Sequence, residues 1–358
     1  MAEESLEKLR SLTRFRLSRY LAYGVDYFDI ERILERIKRT EDWAREWGAE
    51  GQARARDAEE ALARGSKLTA GELFMRGALL CHFGALGVRG ESVPGTDEVN
   101  ALKARLYARA LPLLAPPGER VEIAFAPASF PGTLRKPPAA TPPAVVMLIP
   151  GAGSTKEEFN ALEGEFLRRG LATLSIDGPG QGEGVAIGAV PHDYERPVAA
   201  AIDYLEKRTD VDAGRVGIFG RSLGGYLGAR AAAFERRVRS CAVSGGVFDL
   251  AETWDFCQPH THRSLSECLQ IKDLARAREA ASRYSLRAIA RDIACPLLVV
   301  HGDQDKTAPV SGARWFHEAA GSRDKSLVVY EGGNHVCDNM VYRYRPLVAD
   351  WTAAKLAA

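Results

Sequence analysis

The chain has 358 residues, of which 46% are hydrophobic and 27% are charged, enough for one large domain and a smaller one. Its 48 Lys and Arg residues nearly cancel its 47 Asp and Glu residues, which argues against nucleic acid or an anionic membrane surface as partner. No run reaches the length of a membrane span, and the first residues lack the apolar core of a signal peptide, so we expect a cytoplasmic protein. The six cysteines form no C-x-x-C pair, which predicts free thiols and no zinc or other metal site.

The first third of the chain is predicted to be helical. Apolar residues recur at intervals of three and four in DYFDIERILERIKR and TAGELFMRGALLCHFGALG. Thr69 followed by Glu72 is typical of a capping box and predicts the start of the second of these helices. Prolines crowd the segment 115–144 around VEIAFAP, which predicts a domain boundary and an antiparallel edge hairpin. We therefore expect an all-helical N-terminal domain over residues 1–114.

From Ala144 onward, short apolar runs alternate with helical segments. The runs are AVVMLIPG, LATLSIDG, RVGIFG, SCAVSGG, CPLLVVHG and SLVVYEGG. Short β-rich runs bounded by glycine, with helices between them, predict a mostly parallel sheet covered by helices on both faces. We expect this α/β domain to span residues 115–358, with a helical insertion at about 250–292. Functional residues in such sheets follow the carboxyl ends of the strands.

The segment GIFGRSLGGYLG joins a predicted strand to a predicted helix. A dinucleotide-binding turn would need glycine in place of Ser222 and an acid about 20 residues later, where the sequence has SCAVSGG. The pattern G-x-S-x-G around Ser222 instead predicts a sharp turn that presents a nucleophilic serine, with the Leu223 amide facing an oxyanion. The alternative is a glycine-rich helix start whose serine only caps the helix.

Two later strand ends offer partners for Ser222, because a hydrolytic triad on such a sheet runs in the order Ser, acid, His. Of the seven histidines, His335 is the one that follows the candidate acid in a loop. Asp305 in VVHGDQDKTAP lies far enough from its strand to reach a histidine, and Asp303 is the alternative. The loop LIPGAGSTKEEF lacks the pattern of a phosphate loop and is expected to supply a second oxyanion donor, the Ala152 amide.

With these residues, the chain resembles the α/β-hydrolases, in the branch with an all-helical N-terminal region. That branch includes dihydroxypseudooxynicotine hydrolase, the fungal polyketide-shortening hydrolases and the fermentation-respiration switch esterases. The resemblance rests on GAGSTKEEF, IDGPGQGEG, GRSLGGY, ACPLLVVHGDQD and GGNHVCDN. It implies that Ser222 is the nucleophile, Asp305 the acid and His335 the base, with no cofactor.

The resemblance also implies a helical region that roofs the cleft, a small-molecule substrate and a homodimer. The segment LLCHFGALG is similar to a histidine-bearing helix of the family, so His82 is expected to face the substrate. The alternative for His82 is a core histidine with satisfied hydrogen bonds.

The resemblance favours hydrolysis of a C–C bond next to a ketone, as in an acylated hydroxy-aromatic or a β-dicarbonyl compound. The C–C-cleaving relative carries a further acid beyond a Trp-Asp pair, where this chain reads ETWDFCQPH. Asp255 and Cys257 are expected on the leaving-group side of the pocket. Without that acid, ester or lactone hydrolysis is the alternative, and a catalytically silent hydrolase fold that binds a small molecule or a protein is a more remote one.

Overall fold

The computed structural model describes residues 2–86 and 93–357, with side chains from residue 9 onward, so the final glycine of the predicted segment TAGELFMRGALLCHFGALG lies outside the described residues. The chain divides into two compact units between Arg120 and Val121. Within the described residues, no helix combines the length and the apolar character that crossing a membrane would require.

The N-terminal unit is built from helices, as predicted. They are α1 (Ala2–Ala22), α2 (Tyr27–Arg36), α3 (Trp43–Ala63), α4 (Lys67–Ala85) and α5 (Thr96–Ala110). Helix α4 begins at Lys67, and Ser66 makes no side-chain capping bond, so the capping-box prediction at Thr69 is wrong. The chain reverses at Gly65, whose φ of 78° suits glycine, and this leaves a single residue between Gly65 and the next helix.

Glycines inside α3 and α4 let these two helices approach closely. A Cβ on Gly51 would lie 3.0 Å from the Gly77 carbonyl oxygen, and one on Gly77 would lie 2.9 Å from the Gly51 carbonyl oxygen. Glycine inside a helix costs about 0.5–1 kcal/mol relative to alanine, so these positions need a packing reason. The close backbone contact supplies it.

An eight-stranded sheet forms the centre of the second unit, with the strand order β1-β2-β4-β3-β5-β6-β7-β8. The strands are β1 (Gly118–Phe125), β2 (Ala128–Arg135), β3 (Ala144–Ile149), β4 (Ala172–Ile176), β5 (Asp212–Arg221), β6 (Val238–Ser244), β7 (Leu297–Gly302) and β8 (Lys325–Tyr330). Strand β2 pairs antiparallel with β4, and the strands from β3 to β8 pair in parallel. All six predicted core strands are present, and the hairpin lies at the predicted edge.

Helices cover both faces of this sheet. They are α6 (Asn160–Leu167), α7 (Glu195–Glu206), α8 (Leu223–Phe234), α9 (Leu250–Phe256), α10 (Pro259–Leu269), α11 (Leu274–Ala281), α12 (Val310–Ala319) and α13 (Val341–Lys355). In β3, Val145 and Met147 join the core beneath α7, α8 and α12, whereas Val146 and Leu148 join the core beneath α6 and α13. This alternation follows from the period of two in a strand, and it explains why β3 is apolar throughout.

Candidate active site

Ser222 lies on a sharp turn between β5 and α8. Its φ of 54° and ψ of −123° are unusual for a residue with a side chain. A Cβ on Gly220 would lie 2.1 Å from the Gly224 carbonyl oxygen, and one on Gly224 would lie 2.1 Å from the Ile149 carbonyl oxygen. Both positions therefore require glycine for steric reasons, which is the physical basis of the G-x-S-x-G pattern here.

Backbone hydrogen bonds hold this turn in place. The Ser222 amide donates to the Ser244 carbonyl at 2.9 Å, and the Ser222 carbonyl accepts from Gly225 at 2.9 Å and from Val247 at 3.2 Å. Ser244 ends the neighbouring strand β6, and Val247 lies in the loop that follows. The serine is thus fixed by the carboxyl end of the sheet on one side and by the start of α8 on the other.

His335 and Asp305 extend from Ser222 in a continuous chain of contacts. The Ser222 Oγ atom lies 3.0 Å from His335 Nε2, and His335 Nδ1 lies 2.8 Å from Asp305 Oδ2. The imidazole is 24% exposed, whereas the Asp305 side chain is fully buried. The structure therefore brings together the three residues that the sequence order singled out.

The surroundings of Asp305 keep its carboxylate ionised. Its Oδ1 atom accepts hydrogen bonds from the amides of Thr307 at 2.7 Å and Ala308 at 2.9 Å. Burial acts to raise the pKa of Asp305, but the charge and the hydrogen bond of His335, together with the Ala308 amide, outweigh burial, so the pKa lies below its usual value. His301 Nε2 lies 3.4 Å from Asp305 Oδ2, and burial lowers the pKa of His301, which favours a neutral ring.

Asp303 has a different place and a different partner. Its side chain is exposed, and its Oδ1 atom accepts a hydrogen bond from the Gly332 amide at 2.8 Å. Asp303 therefore stabilises the loop that leads to His335, while Asp305 contacts the imidazole itself. Of the two acids left open by the sequence, Asp305 is the one that reaches His335.

The turn that carries His335 has an unusual backbone. Val336 and Cys337, the next two residues, have φ values of 53° and 58° in the left-handed region, which is unfavourable for residues with a Cβ atom. The Val336 carbonyl accepts a hydrogen bond from Ser244 Oγ at 3.2 Å. Ser244, at the end of β6, therefore contacts both the turn that carries Ser222 and the turn that carries His335.

The loop after β3 passes directly against Ser222. A Cβ on Gly151 would lie 2.8 Å from the Ser222 Cβ atom, so only glycine allows this approach. Ala152 follows it and is half-buried. The Leu223 amide is the first of α8 and has no acceptor within the helix, which leaves it available for a ligand. The two amides expected to bind an oxyanion thus belong to the segments that flank Ser222.

The same loop carries an ion cluster that the sequence did not reveal. The Lys156 ammonium, 1% exposed, lies 2.9 Å from Glu157 and 2.9 Å from Asp177, and it also contacts Glu183. Burial acts to lower the pKa of Lys156, but the three carboxylates outweigh burial and raise it well above its usual value. Local sequence shows only that this loop lacks the pattern of a phosphate loop, because the main partner of Lys156, Asp177, lies 21 residues away.

The three carboxylates of this cluster also fit the donor set of a cation site. One oxygen from each of Glu157, Asp177 and Glu183 lies within 4.8 Å of the other two. The Lys156 ammonium contacts all three carboxylates. A lysine side chain therefore provides the positive charge that a metal ion would supply at such a site.

Comparison with known proteins places the chain in a family. It is 34% identical over 341 residues to 2,6-dihydropseudooxynicotine hydrolase of Paenarthrobacter nicotinovorans, covering 95% of this chain and 91% of that protein. This chain belongs to the α/β-hydrolase family. The crystal structure of 2,6-dihydroxy-pseudo-oxynicotine hydrolase matches with a TM-score of 0.88 and 33% identity, over 95% of this chain and 96% of that one. The sequence profile of the Prolyl oligopeptidase family matches residues 195–357.

A fungal relative matches a shorter part of the chain. Hydrolase ORFZ of Pyricularia oryzae is 28% identical over 257 residues, which cover 65% of this chain and 59% of that protein. The match to the bacterial hydrolase over 95% of this chain shows that the protein is an enzyme, a hydrolase of the α/β-hydrolase family.

Three further residues of this hydrolase were expected near the substrate. His82 is buried in α4, with its ring centroid 5.0 Å from that of Phe83. Cys257 is buried, and its Sγ atom lies 3.6 Å from the Trp254 carbonyl oxygen. Asp255 differs from the expectation: it is exposed and forms an ion pair with Arg278, which lowers the pKa of Asp255 through a hydrogen bond. An exposed carboxylate held by arginine does not form the wall of an enclosed pocket.

Proposed function

We propose that this hydrolase is a serine hydrolase in which Ser222 attacks, His335 acts as general base and Asp305 orients the imidazole. The observation that carries the proposal is the chain of contacts from Ser222 Oγ through His335 to Asp305, at 3.0 and 2.8 Å. Because Asp305 is ionised, the Nδ1 proton of His335 is directed to Asp305. Nε2 is then the nitrogen that accepts the serine proton.

The reaction proceeds in two halves. Ser222 Oγ adds to a carbonyl carbon while its proton moves to His335 Nε2, and the amides of Ala152 and Leu223 bind the resulting oxyanion. When the tetrahedral intermediate collapses, His335 gives this proton to the leaving group. Water then loses a proton to His335 and adds to the acyl-serine, and Ser222 leaves with that proton. The sequence of steps needs no metal or cofactor.

Labelling with a fluorophosphonate tests the role of Ser222. We expect the reagent to add its mass to the peptide that contains Ser222 and to abolish hydrolysis of a short-chain nitrophenyl ester. Ser222→Ala should prevent labelling and lower kcat by about four to six decades, because the residues of such a unit act together. The matched control is Ser282→Ala on the exposed end of α11, which should change neither result. Labelling of another residue would refute the assignment, as would a Ser222→Ala variant that keeps a tenth of the wild-type kcat.

For the bond that is cleaved, we propose a C–C bond next to a ketone in an acylated hydroxy-aromatic or β-dicarbonyl compound. The proposal is supported by the 34% identity with 2,6-dihydropseudooxynicotine hydrolase over 95% of this chain. A carbanion must be protonated as it leaves, and Asp255, ionised and bound to Arg278, is a poor donor for this step. His335 must then supply the proton, which restricts the substrate to one whose carbanion is delocalised by a carbonyl or a hydroxylated ring.

Hydrolysis of an ester or a lactone is the second candidate. An alkoxide leaves readily with a proton from His335 alone, so this reaction needs no further acid. The observation that favours it is the same surface ion pair of Asp255 with Arg278.

A comparison of kcat/KM for an aryl β-diketone and its matched ester decides between the two candidates. We expect the diketone to be preferred after correction for intrinsic reactivity. We also expect Asp255→Asn to leave both rates unchanged, since this side chain faces solvent and Arg278. An ester preference beyond intrinsic reactivity would refute C–C cleavage. A selective loss of diketone cleavage in Asp255→Asn would instead show that Asp255 donates the proton.

We propose further that the N-terminal helical unit caps the substrate cleft and that His82 belongs to the substrate-binding side of this cap. The support is the resemblance to the helical-cap branch of the family and the extent of the match to the bacterial relative, which spans the helical unit as well as the α/β unit. The same resemblance supports a homodimer. Light scattering during size-exclusion chromatography measures the mass, and a single species of about 39 kDa, the mass of one chain, would refute the dimer.

A cytoplasmic location completes the proposal. All six cysteines are free thiols, which suits a reducing compartment. Fractionation of cells that express the protein at its natural level tests this location.

A further inference from the structure

A buried ion network joins three segments around Ser222. Arg221 immediately precedes Ser222, and its Nη1 atom lies 2.8 Å from Glu158 Oε2 in the loop after β3. Its Nη2 atom lies 3.6 Å from Asp338 Oδ2, three residues beyond His335. The three side chains are 5%, 0% and 5% exposed. The Arg221 guanidinium therefore connects the turn that carries Ser222, the loop after β3 and the turn that carries His335.

Two of these segments hold backbone conformations that need support. Ser222 has a φ of 54°, and Val336 and Cys337 have φ values of 53° and 58°. Residues with a Cβ atom remain in this region only where the surrounding structure holds them. Arg221 adjoins the first strained residue, and Asp338 adjoins the second strained pair. The ion pair between Arg221 and Asp338 thus ties the two turns that bring Ser222 and His335 together.

Stability gives a weak reason for such a network. Burying three charges removes them from water, and a buried ion pair typically contributes little net stability compared with apolar side chains of the same size. Conversely, loss of one partner leaves the others buried and uncompensated, so the segments that carry them shift. The ion network is therefore better suited to fixing the relative positions of these three segments than to stabilising the fold.

We propose that Arg221, together with Glu158 and Asp338, is a positioning group that keeps Ser222 Oγ within reach of His335 Nε2. The inference rests on the proposed role of Ser222 and His335. Arg221 acts through the backbone of its neighbours, because its guanidinium is buried and directed at the two carboxylates. The group takes no part in binding the substrate, so its loss affects kcat and leaves KM unchanged.

The test compares Glu158→Gln with Glu163→Gln. Glu163 provides a matched control, since it pairs with Arg135 at 3.0 Å, with side chains 1% and 4% exposed, and also accepts a hydrogen bond from Ser175 in β4. We expect Glu158→Gln to lower kcat for a nitrophenyl ester about a hundredfold at unchanged KM, in line with the cost of a displacement of about 1 Å. Phosphonylation of Ser222 should slow by a similar factor. Glu163→Gln should lower the midpoint of thermal unfolding without changing kcat well below that midpoint.

Variants of Arg221 provide the second arm. Arg221→Lys keeps the charge and should recover part of the kcat that Arg221→Met loses, and Asp338→Asn should resemble Glu158→Gln. Equal loss of kcat in Glu158→Gln and Glu163→Gln would overturn the inference, and so would wild-type phosphonylation in folded Arg221→Met. If the wild-type enzyme is not labelled at Ser222, the proposed function itself fails; if it is labelled and the network variants react at its rate, only the positioning role fails.

Discussion

At the scale of single residues, the decisive feature is the carboxylate that holds His335. Asp305 is buried; one of its carboxylate oxygens accepts hydrogen bonds from two backbone amides, and the other contacts the imidazole. Asp303, two residues earlier, is exposed and supports the backbone of the following loop. Two aspartates within three residues therefore have different roles, and the difference in their burial distinguishes them.

Asparagine at each position makes a matched pair. Asp305→Asn should lower kcat by about four decades, because an amide leaves the geometry intact but stabilises the wrong imidazole tautomer and no imidazolium. Asp303→Asn should change kcat little, since an amide oxygen can still accept the hydrogen bond from Gly332. Steady-state hydrolysis of a nitrophenyl ester measures both. If Asp303→Asn has the larger effect, the acid is Asp303 and the loop is arranged differently in solution.

At the scale of elements, the turn between β5 and α8 depends on glycine where backbone meets backbone. Gly224→Ala should remove activity and lower stability, because a Cβ would lie 2.1 Å from the Ile149 carbonyl oxygen and neither segment can yield cheaply. Gly164→Ala in α6 is the control, since its Cβ meets only the end of the Arg168 side chain at 3.3 Å. That substitution should raise the free energy of unfolding by about 0.5–1 kcal/mol.

Chemical denaturation and ester hydrolysis measure both glycine variants. A Gly224→Ala protein with wild-type kcat and stability would contradict the close approach of β3 to the serine turn. A destabilised Gly164→Ala protein would show that Arg168 cannot move aside.

At the scale of the whole molecule, the proposed cap is tested without a truncated gene. A protease site inserted between Ala115 and Pro117, both exposed, allows the same preparation to be assayed before and after cleavage. Removal of the cleaved helical unit should lower kcat/KM for a bulky ketone by at least about tenfold, because an apolar pocket wall would be lost to water. The inserted but uncleaved protein is the control. Full activity of the isolated α/β unit would show that the helices form an independent module.

Local pattern was sufficient for much of this protein. Short apolar runs between glycines predict the six parallel strands, since strands buried on both faces, such as β3, must be apolar throughout. The glycines around Ser222 predict its turn, because the turn requires glycine for steric reasons at positions within a few residues of the serine. The chain order of serine, acid and histidine then narrows the choice to His335 and to two aspartates.

Only the tertiary structure decides what depends on burial and on partners distant in sequence. Local pattern favours Asp305 over Asp303 only by its distance from the strand and does not show that Asp305 is buried against His335. It also does not show that Asp255 is exposed and paired with Arg278. Local pattern also does not reveal the buried ion pair of Arg221 with Glu158, because these residues are 63 positions apart in the sequence. Ser222 and His335 are 113 positions apart. From its sequence neighbours alone, a charged residue is predicted to be exposed to solvent. Its role is set by the distant charge that compensates it once the sheet brings the strand ends together.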